Sequence, residues 1–267
     1  MASLAPAPRT LSASEADALA QRRLKKHDIA IMLLHWFNAL VWLLELATGL
    51  ALLTSDLRVM PWWYIRIVQG CFGSKANMLQ FHVAAGITWI VVFMAYAVFG
   101  FHTYLRQEVL RREISLDGDD WQWLRARILG IVKLSRAPLP PQGIYNAGQK
   151  LFALMVYLMV PVIMLTGLVM TFHLGGAAVV GWAAAIHFAA VGAVVAGLMI
   201  HVYMGAVLPE EKPAFFSMIT GQVDELYAYS HHFKWWAEAS RLAGRLLAGD
   251  GDANPPTQEA HGAEEKQ

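Results

Sequence analysis

The chain of 267 residues is 57% hydrophobic and only 15% charged, and its formal net charge is +1. A water-soluble domain of this size would be hard to keep in solution at that composition, so a membrane protein is expected and a nucleic-acid partner is not. Cys71 is the single cysteine, which excludes an internal disulfide, an iron–sulfur cluster held by this chain alone and a C-x-x-C-H haem attachment.

Four apolar windows predict membrane-spanning helices, at residues 29–53, 79–101, 151–172 and 179–208. Each is long enough to cross a hydrocarbon core, which needs about 20 helical residues. Glu45 is the only Asp, Glu, Lys or Arg inside them. A backbone in lipid must satisfy its own hydrogen bonds, and the windows lack the alternation of a barrel strand. The predicted fold is an all-α membrane protein, a four-transmembrane-helix bundle over residues 29–208.

The segments outside the spans are polar. Residues 1–28 form a predicted N-terminal tail, disordered over most of the first twenty residues, and residues 209–267 form a C-terminal segment, disordered from about residue 248. In the second loop, "DWQWLRARILGIVKL" mixes Trp, Leu and Arg. This mixture predicts an amphipathic helix near residues 119–134 that lies flat on the cytoplasmic leaflet. No internal repeat is evident.

Lysine and arginine are distributed asymmetrically along the chain. Of the 21 such residues, 18 lie in the N-terminal tail, the second loop and the C-terminal segment, and three lie in the first loop, at Arg58, Arg66 and Lys75. The positive-inside rule therefore places both termini and the second loop in the cytoplasm. The first and third loops are then outside.

Four histidines inside the spans pair by depth. His35 and His201 lie near the cytoplasmic ends of their helices, and His82 and His187 lie near the outer ends. The 14 positions from His187 to His201 leave these two residues within about 40° on one helical face and ~21 Å apart along the axis. Two imidazoles at one depth are what a six-coordinate b haem requires. The pattern predicts two haem b groups, one held by His35 and His201 and the other by His82 and His187.

Glycines accompany these histidines. Gly49 lies at the outer depth, and Gly86 and Gly197 lie one turn from two of the histidines. These glycines fit a flat porphyrin ring, and they equally fit a close approach of helices, as small residues do in membrane bundles.

Other interpretations of the histidines remain open from the residues alone. A His-lined transporter of metal ions or protons would prefer histidines and carboxylates clustered at one depth, and Glu45 is the only carboxylate in the spans. Glu45 fits a hydrogen-bonded structural role or a proton path. The other histidines near the membrane boundaries or after the last span are expected at the interface or the surface: His27, His102, His173, His231 and His232.

The four histidine contexts, "YNAGQK" at 145–150, "HVYMGAV" and "SMITGQVDELYAYSHH" resemble the cytochrome b (gamma) subunit of membrane-bound formate dehydrogenases and its thiosulfate reductase and hydrogenase relatives. The resemblance covers roughly residues 26–236. It implies a four-helix subunit with two b haems in a bacterial cytoplasmic (inner) membrane. It further implies an iron–sulfur partner subunit outside, a catalytic subunit with molybdenum, tungsten or nickel, and reduction of quinone near the cytoplasmic haem.

The family's quinone pocket maps onto Asn146 and His201, and Gln149 and Lys150 are further polar candidates. An amide at Asn146 can hydrogen-bond a quinone carbonyl, although helix capping is the alternative role for this residue. The first loop and the loop between spans two and three depart from the formate dehydrogenase pattern, which leaves formate, hydrogen and a sulfur compound open as donors.

Two further alternatives stay open. A stand-alone diheme cytochrome b that oxidises a small donor such as superoxide uses a similar histidine spacing, although the long second loop and "YNAGQK" argue against it. In the first loop, Trp62, Trp63 and Tyr64 fit either a docking surface for an iron–sulfur subunit or an ordinary aromatic belt.

Overall fold

The computed structural model describes residues 8–53, 60–134 and 138–247. Four of its helices are long and apolar enough to cross a membrane, which confirms the predicted all-α membrane fold. The elements in chain order are α1 (Ala13–Gln21), β1 (Arg23–Lys25), α2 (Ile29–Leu52), α3 (Trp62–Phe72), α4 (Lys75–Phe99), α5 (Gly118–Ile131), α6 (Ala147–Thr171), α7 (Gly176–Val202), α8 (Lys212–Thr220), β2 (Gln222–Asp224), α9 (Glu225–His231) and α10 (Phe233–Leu247). The π-helical segments Phe101–Glu113 and Tyr203–Val207 follow α4 and α7, and a 3-10 turn at Pro209–Glu211 precedes α8.

The four spans, α2, α4, α6 and α7, form two helical hairpins. α2 packs mainly against α4, and α6 packs mainly against α7. In the first hairpin, the indole N–H of Trp89 donates to Asn38 Oδ1 at 2.7 Å. In the second, the turn between the helices is tight because Gly175 and Gly176 take φ values of +83° and +81°, a region where a Cβ is strained. Contacts between the hairpins are fewer.

The segments before the first span and after the last span pair with each other in one extramembrane layer. β1 and β2 form an antiparallel ribbon in which Leu24 is paired with Val223, and α1 packs on α9. Val223, Tyr227 and Ala228 form the buried core of this layer. The two ends of the span-containing region therefore lie on one side of the bundle.

The loop between the second and third spans joins the same layer. The backbone N–H of Lys234 donates to the carbonyl of Gln142 at 3.0 Å, and its ammonium lies 2.9 Å from Asp117 and 2.6 Å from Asp119. The N-terminal tail, the second loop and the C-terminal segment, which carry most of the basic residues, are thus in mutual contact. Each is separated from the next by two membrane spans, so all three must lie on the same side of the bundle.

The predicted disorder of the N-terminal tail is wrong for Ala13–Gln21. Ser12 and Glu15 form a capping box at the start of α1, which satisfies backbone N–H groups that the first helical turn leaves unpaired. The Tyr229 hydroxyl also donates to the carbonyl of Arg9 at 2.7 Å, which ties the segment to α9. Residues 1–7 and the C-terminal tail from residue 248 lie outside the described residues.

The helix predicted near residues 119–134 is present as α5. Asp117 caps it through a hydrogen bond from the backbone N–H of Asp120 at 2.9 Å. One side of α5 buries Trp123 toward α6, and the other exposes Trp121 and Ile128. The helix is amphipathic as expected, and its position on the leaflet stays a prediction.

Candidate functional site

His35 on α2 and His201 on α7 meet across the seam between the two hairpins. Their ring centroids are 6.5 Å apart with an angle of 50° between the ring planes. A metal ion bonded to one nitrogen of each ring at about 2 Å would place the centroids about 6 Å apart. His35 Nδ1 is buried with no hydrogen-bond partner among the described residues. The spacing of the two rings therefore fits the bis-imidazole ligand set of a haem iron.

Aromatic neighbours hold these two rings in place. His201 stacks on Phe152 of α6 at 4.7 Å, and Trp36 packs edge-on against His35 at 5.3 Å. The Trp36 indole N–H donates to the carbonyl of Met218 at 2.7 Å, so α8 anchors the tryptophan that supports His35. These aromatic contacts hold the pair in place, and His35 Nδ1 has no polar partner in the described part of the chain.

His187 is fixed through its Nδ1 atom by the neighbouring helix. Nδ1 lies 2.9 Å from Thr166 Oγ1 and 3.1 Å from the carbonyl oxygen of Ile163. The Thr166 hydroxyl donates its own proton to the carbonyl of Val162 at 2.6 Å. Because both partners can then only accept, Nδ1 carries the ring proton and Nε2 carries the lone pair. Metal-binding histidines typically have this arrangement.

His82 has the same arrangement in the other hairpin. Its Nδ1 lies 2.8 Å from Thr48 Oγ1 and 2.8 Å from Glu45 Oε2, and the Thr48 hydroxyl donates to the carbonyl of Leu44 at 2.8 Å. Nε2 therefore again carries the lone pair. Glu45 thus has a hydrogen-bonded role, one of the two that the sequence offered for it.

His82 and His187 make no ring contact with each other in the described part of the chain. Each is instead held by the partner helix of its own hairpin, α2 or α6. The structure therefore brings His35 and His201 together directly, and it orients His82 and His187 separately.

Two glycines make room for the imidazoles of His82 and His187. A Cβ on Gly49 would lie 3.3 Å from His82 Cε1, and one on Gly167 would lie 3.5 Å from His187 Cε1. Gly49 therefore accommodates a histidine ring directly. A Cβ on Gly197 would instead come within 2.9 Å of Phe152 Cδ2, so this glycine serves the close packing of α6 and α7.

The threonines and glycines form a short repeat that was not anticipated. The tripeptide Thr-Gly-Leu occurs at 48–50 in α2 and at 166–168 in α6. In each hairpin the threonine accepts from a histidine Nδ1 and the glycine faces the same imidazole. The repeated Thr-Gly-Leu tripeptide is the sequence feature from which Thr48, Thr166 and Gly167 could have been identified as neighbours of the histidines.

Two of the predicted quinone residues cap the third span. Asn146 Oδ1 accepts from the backbone N–H of Gln149 at 2.9 Å, and Gln149 Oε1 accepts from the backbone N–H of Asn146 at 2.9 Å. Asn146 also lines a cavity of about 210 Å³ together with Trp123 and Arg127. The capping role is therefore present, while the Asn146 amide nitrogen makes no hydrogen bond to another described residue.

Lys150 is buried in an ion pair with Asp120 of α5. Its Nζ lies 2.7 Å from Asp120 Oδ2, and Asp120 is only 1% exposed. The same carboxylate oxygen accepts from the backbone N–H of Asp117 at 2.9 Å. Lys150 thus joins α5 to the start of α6. Its ammonium is already paired with Asp120, whereas the amide nitrogen of Asn146 at the same end of α6 is available to a ligand.

Two histidines expected at the interface or surface are buried. His27 is 6% exposed and His232 is 0% exposed. The His232 Nδ1–H donates to the carbonyl of Gly143 at 2.6 Å, and burial, assisted by the Lys26 charge, lowers the pKa of His232 well below its usual 6.5. His232 is covered by tertiary contacts between the C-terminal segment and the second loop. The local sequence pattern does not predict such contacts.

The described residues contain no group of three or more His, Cys, Asp or Glu side chains able to hold a metal ion.

The chain is similar to one family of membrane cytochromes and to individual cytochrome b556 subunits. The profile of the family described as prokaryotic cytochrome b561 matches residues 26–221. The chain is 22% identical over 231 residues to the formate dehydrogenase cytochrome b556 subunit of Haemophilus influenzae, covering 84% of this chain and 88% of that protein. It is 27% identical over 139 residues to the nitrate-inducible formate dehydrogenase cytochrome b556(Fdn) subunit of Escherichia coli K12, covering 51% of this chain and 62% of that protein.

Proposed function

The chain belongs to the prokaryotic cytochrome b561 family, and we propose that it is the diheme cytochrome b subunit of a respiratory oxidoreductase of the formate dehydrogenase type. Family membership makes it a multi-pass membrane cytochrome b that binds haem b. The observation that carries the proposal is the His35–His201 ring pair across the seam, accompanied by His82 and His187 with their Nε2 atoms left for metal.

Two haems are assigned by the chemistry of the four imidazoles. His35 and His201 would hold one iron at the layer end of the bundle, and His82 and His187 would hold the second toward the opposite end. Haem b, when bound, supplies reversible one-electron chemistry at its iron. Both α7 histidines lie on one helix, about 21 Å apart along its axis, so the protein scaffold fixes the separation of the two sites.

Quinone reduction is assigned to the layer end of the seam. Asn146 caps the start of α6 there, six residues before Phe152, which stacks on His201. Its amide N–H groups can donate to a quinone carbonyl, while Gln149 and Lys150 shape the start of the helix through its cap and the ion pair with Asp120.

Sidedness follows from the charge distribution. The layer carries most of the lysines and arginines, so it faces the cytoplasm of a bacterial inner membrane under the positive-inside rule. Electrons then enter from an iron–sulfur subunit outside, supplied by a molybdenum, tungsten or nickel catalytic subunit. At the outer end α3 exposes Trp62, Trp63 and Ile67, an aromatic surface suited to a docking subunit or to the lipid interface.

The test is a haem count on the purified protein. Redox-difference spectra and pyridine haemochrome assay are expected to give two b haems per chain, and His187→Ala is expected to lose one. His102→Ala is the matched control, because His102 is exposed and has no assigned ligand role. A colourless protein, or a His187→Ala variant with both haems, would contradict the proposal. Mass spectrometry of co-purifying subunits identifies the donor complex.

A further inference from the structure

His27 is a buried imidazole with an unused ring nitrogen. It is 6% exposed, and its Nδ1 has no hydrogen-bond partner among the described residues. Leaving such a group buried and unpaired costs about 1–3 kcal/mol, so a native structure retains one where a ligand or water supplies the missing bond.

The backbone around His27 is held firmly. The carbonyl of Gly221 accepts from the backbone N–H of Lys26 at 2.8 Å and of His27 at 3.1 Å. Gly221 has a φ of +75°, and a Cβ there would come 2.9 Å from the His27 carbonyl oxygen. This turn therefore requires glycine, and it fixes the segment just before α2.

His27 lies at the same end of the seam as the Asn146 site. Its ring stacks on Tyr145, the residue before Asn146, at 6.3 Å and 29°. His35 follows the first residue of α2 by six positions, about 9 Å along the axis. His201 is likewise supported by Phe152, six positions after Asn146. His27 precedes His35 by eight positions and Asn146 precedes Phe152 by six, so both lie on the layer side of the His35–His201 pair.

The charge balance favours a neutral ligand at His27. Burial, followed by the Lys26 charge, lowers the pKa of His27 to about 4, so the imidazole is neutral near pH 7. The adjacent Lys26 ammonium has Glu211 as its electrostatic counterpart. A neutral hydrogen-bonding group, such as a carbonyl oxygen, therefore matches this position better than a carboxylate.

We propose that the His27 Nδ1–H donates a hydrogen bond to a carbonyl oxygen of the bound quinone, which makes His27 a quinone-binding residue beside Asn146. This inference rests on the proposed function. It assigns one end of the quinone to the segment before the first span and leaves the other end to the start of the third span. The quinone then lies across the two hairpins, between the His35–His201 pair and the extramembrane layer.

The experiment is equilibrium binding of menadione and decylubiquinone to the purified full chain in detergent, by calorimetric titration. His27→Phe keeps a ring to stack on Tyr145 and removes the donor. It is expected to weaken binding roughly five- to tenfold, as loss of one hydrogen bond does. His27→Asn places an amide donor near the former Nδ1 position and is expected to restore most of the affinity. His102→Phe is the control and should bind as the parent protein does.

The outcomes separate the two proposals. If the parent protein binds neither quinone, the quinone-reducing function and the His27 assignment both fall. If the parent binds but His27→Phe binds equally well, only the His27 assignment falls. Haem content is measured on the same samples, together with the midpoint potential of the haem assigned to His35 and His201. A shift of that potential with unchanged quinone affinity would assign His27 to a haem propionate and overturn the inference.

Discussion

Thr166 Oγ1 lies 2.9 Å from His187 Nδ1, and the Thr166 hydroxyl proton is already committed to the carbonyl of Val162. The threonine is therefore an obligatory acceptor, and it fixes the imidazole tautomer in which Nε2 carries the lone pair. Thr48 does the same for His82 at 2.8 Å. One residue type at equivalent places in the two hairpins thus sets the tautomer of both His82 and His187.

Thr166→Val is expected to weaken retention of the outer haem about tenfold, the lower end for loss of a group that orients a metal ligand. The Ile163 carbonyl remains as a partner, which limits the loss. Haem dissociation from the detergent-purified protein, followed by its Soret absorbance in the presence of a haem acceptor, measures the effect. Thr88→Val is the matched control, because the Thr88 hydroxyl also donates to a carbonyl of its own helix but bonds to none of the described histidines. Equal dissociation in both variants would contradict the assigned role.

Gly49→Ala is expected to reduce occupancy of the outer haem while leaving the inner haem in place. The added Cβ would lie 3.3 Å from His82 Cε1, which is tight enough to push the ring out of position. Gly192→Ala on α7 meets nothing within 4 Å and should keep both haems, so pyridine haemochrome assays of the two variants give the comparison. Full occupancy in Gly49→Ala would show that the imidazole can shift without loss of its ligand function.

Asp120→Asn is expected to destabilise the protein by about 3–5 kcal/mol, because removing one partner of a buried ion pair leaves the Lys150 ammonium uncompensated. Chemical or thermal unfolding of the full chain, followed by tryptophan fluorescence, measures the loss. The double variant Asp120→Leu, Lys150→Met should recover part of it, because neither charge is then buried. A single variant as stable as the parent would mean that water reaches Lys150.

The layer is expected to lose stability as the pH falls below about 6.5. Burial lowers the pKa of His232 well below the 6.5 of an exposed histidine. The unfolded chain therefore binds a proton that the folded layer excludes, and its stability falls with pH over that window. Hydrogen exchange of the Tyr227 and Ala228 amides at pH 7.5 and 5.5 measures this. His232→Asn keeps a donor for the Gly143 carbonyl and should flatten the pH dependence; an unchanged slope would assign it to another group.

Much of the membrane fold was predictable from local composition. The four spans were found because a helix in lipid requires a continuous apolar run, and α5 was found because its segment mixes Trp, Leu and Arg as an amphipathic interfacial helix does. α1 was missed because its stability comes from a capping box and from packing on α9, and the short β1–β2 ribbon pairs residues that are far apart in the chain.

The sequence by itself determined which residues can cross the membrane and which imidazoles share a depth, because helical rise and hydrophobic length are local quantities. The tertiary structure alone decided which nitrogen each outer histidine presents, because Thr48 and Thr166 act from neighbouring helices. It also decided that Lys150 is neutralised by Asp120 and that His27 is buried with a free nitrogen. Those outcomes depend on contacts between segments that are distant in the chain, which no local periodicity encodes.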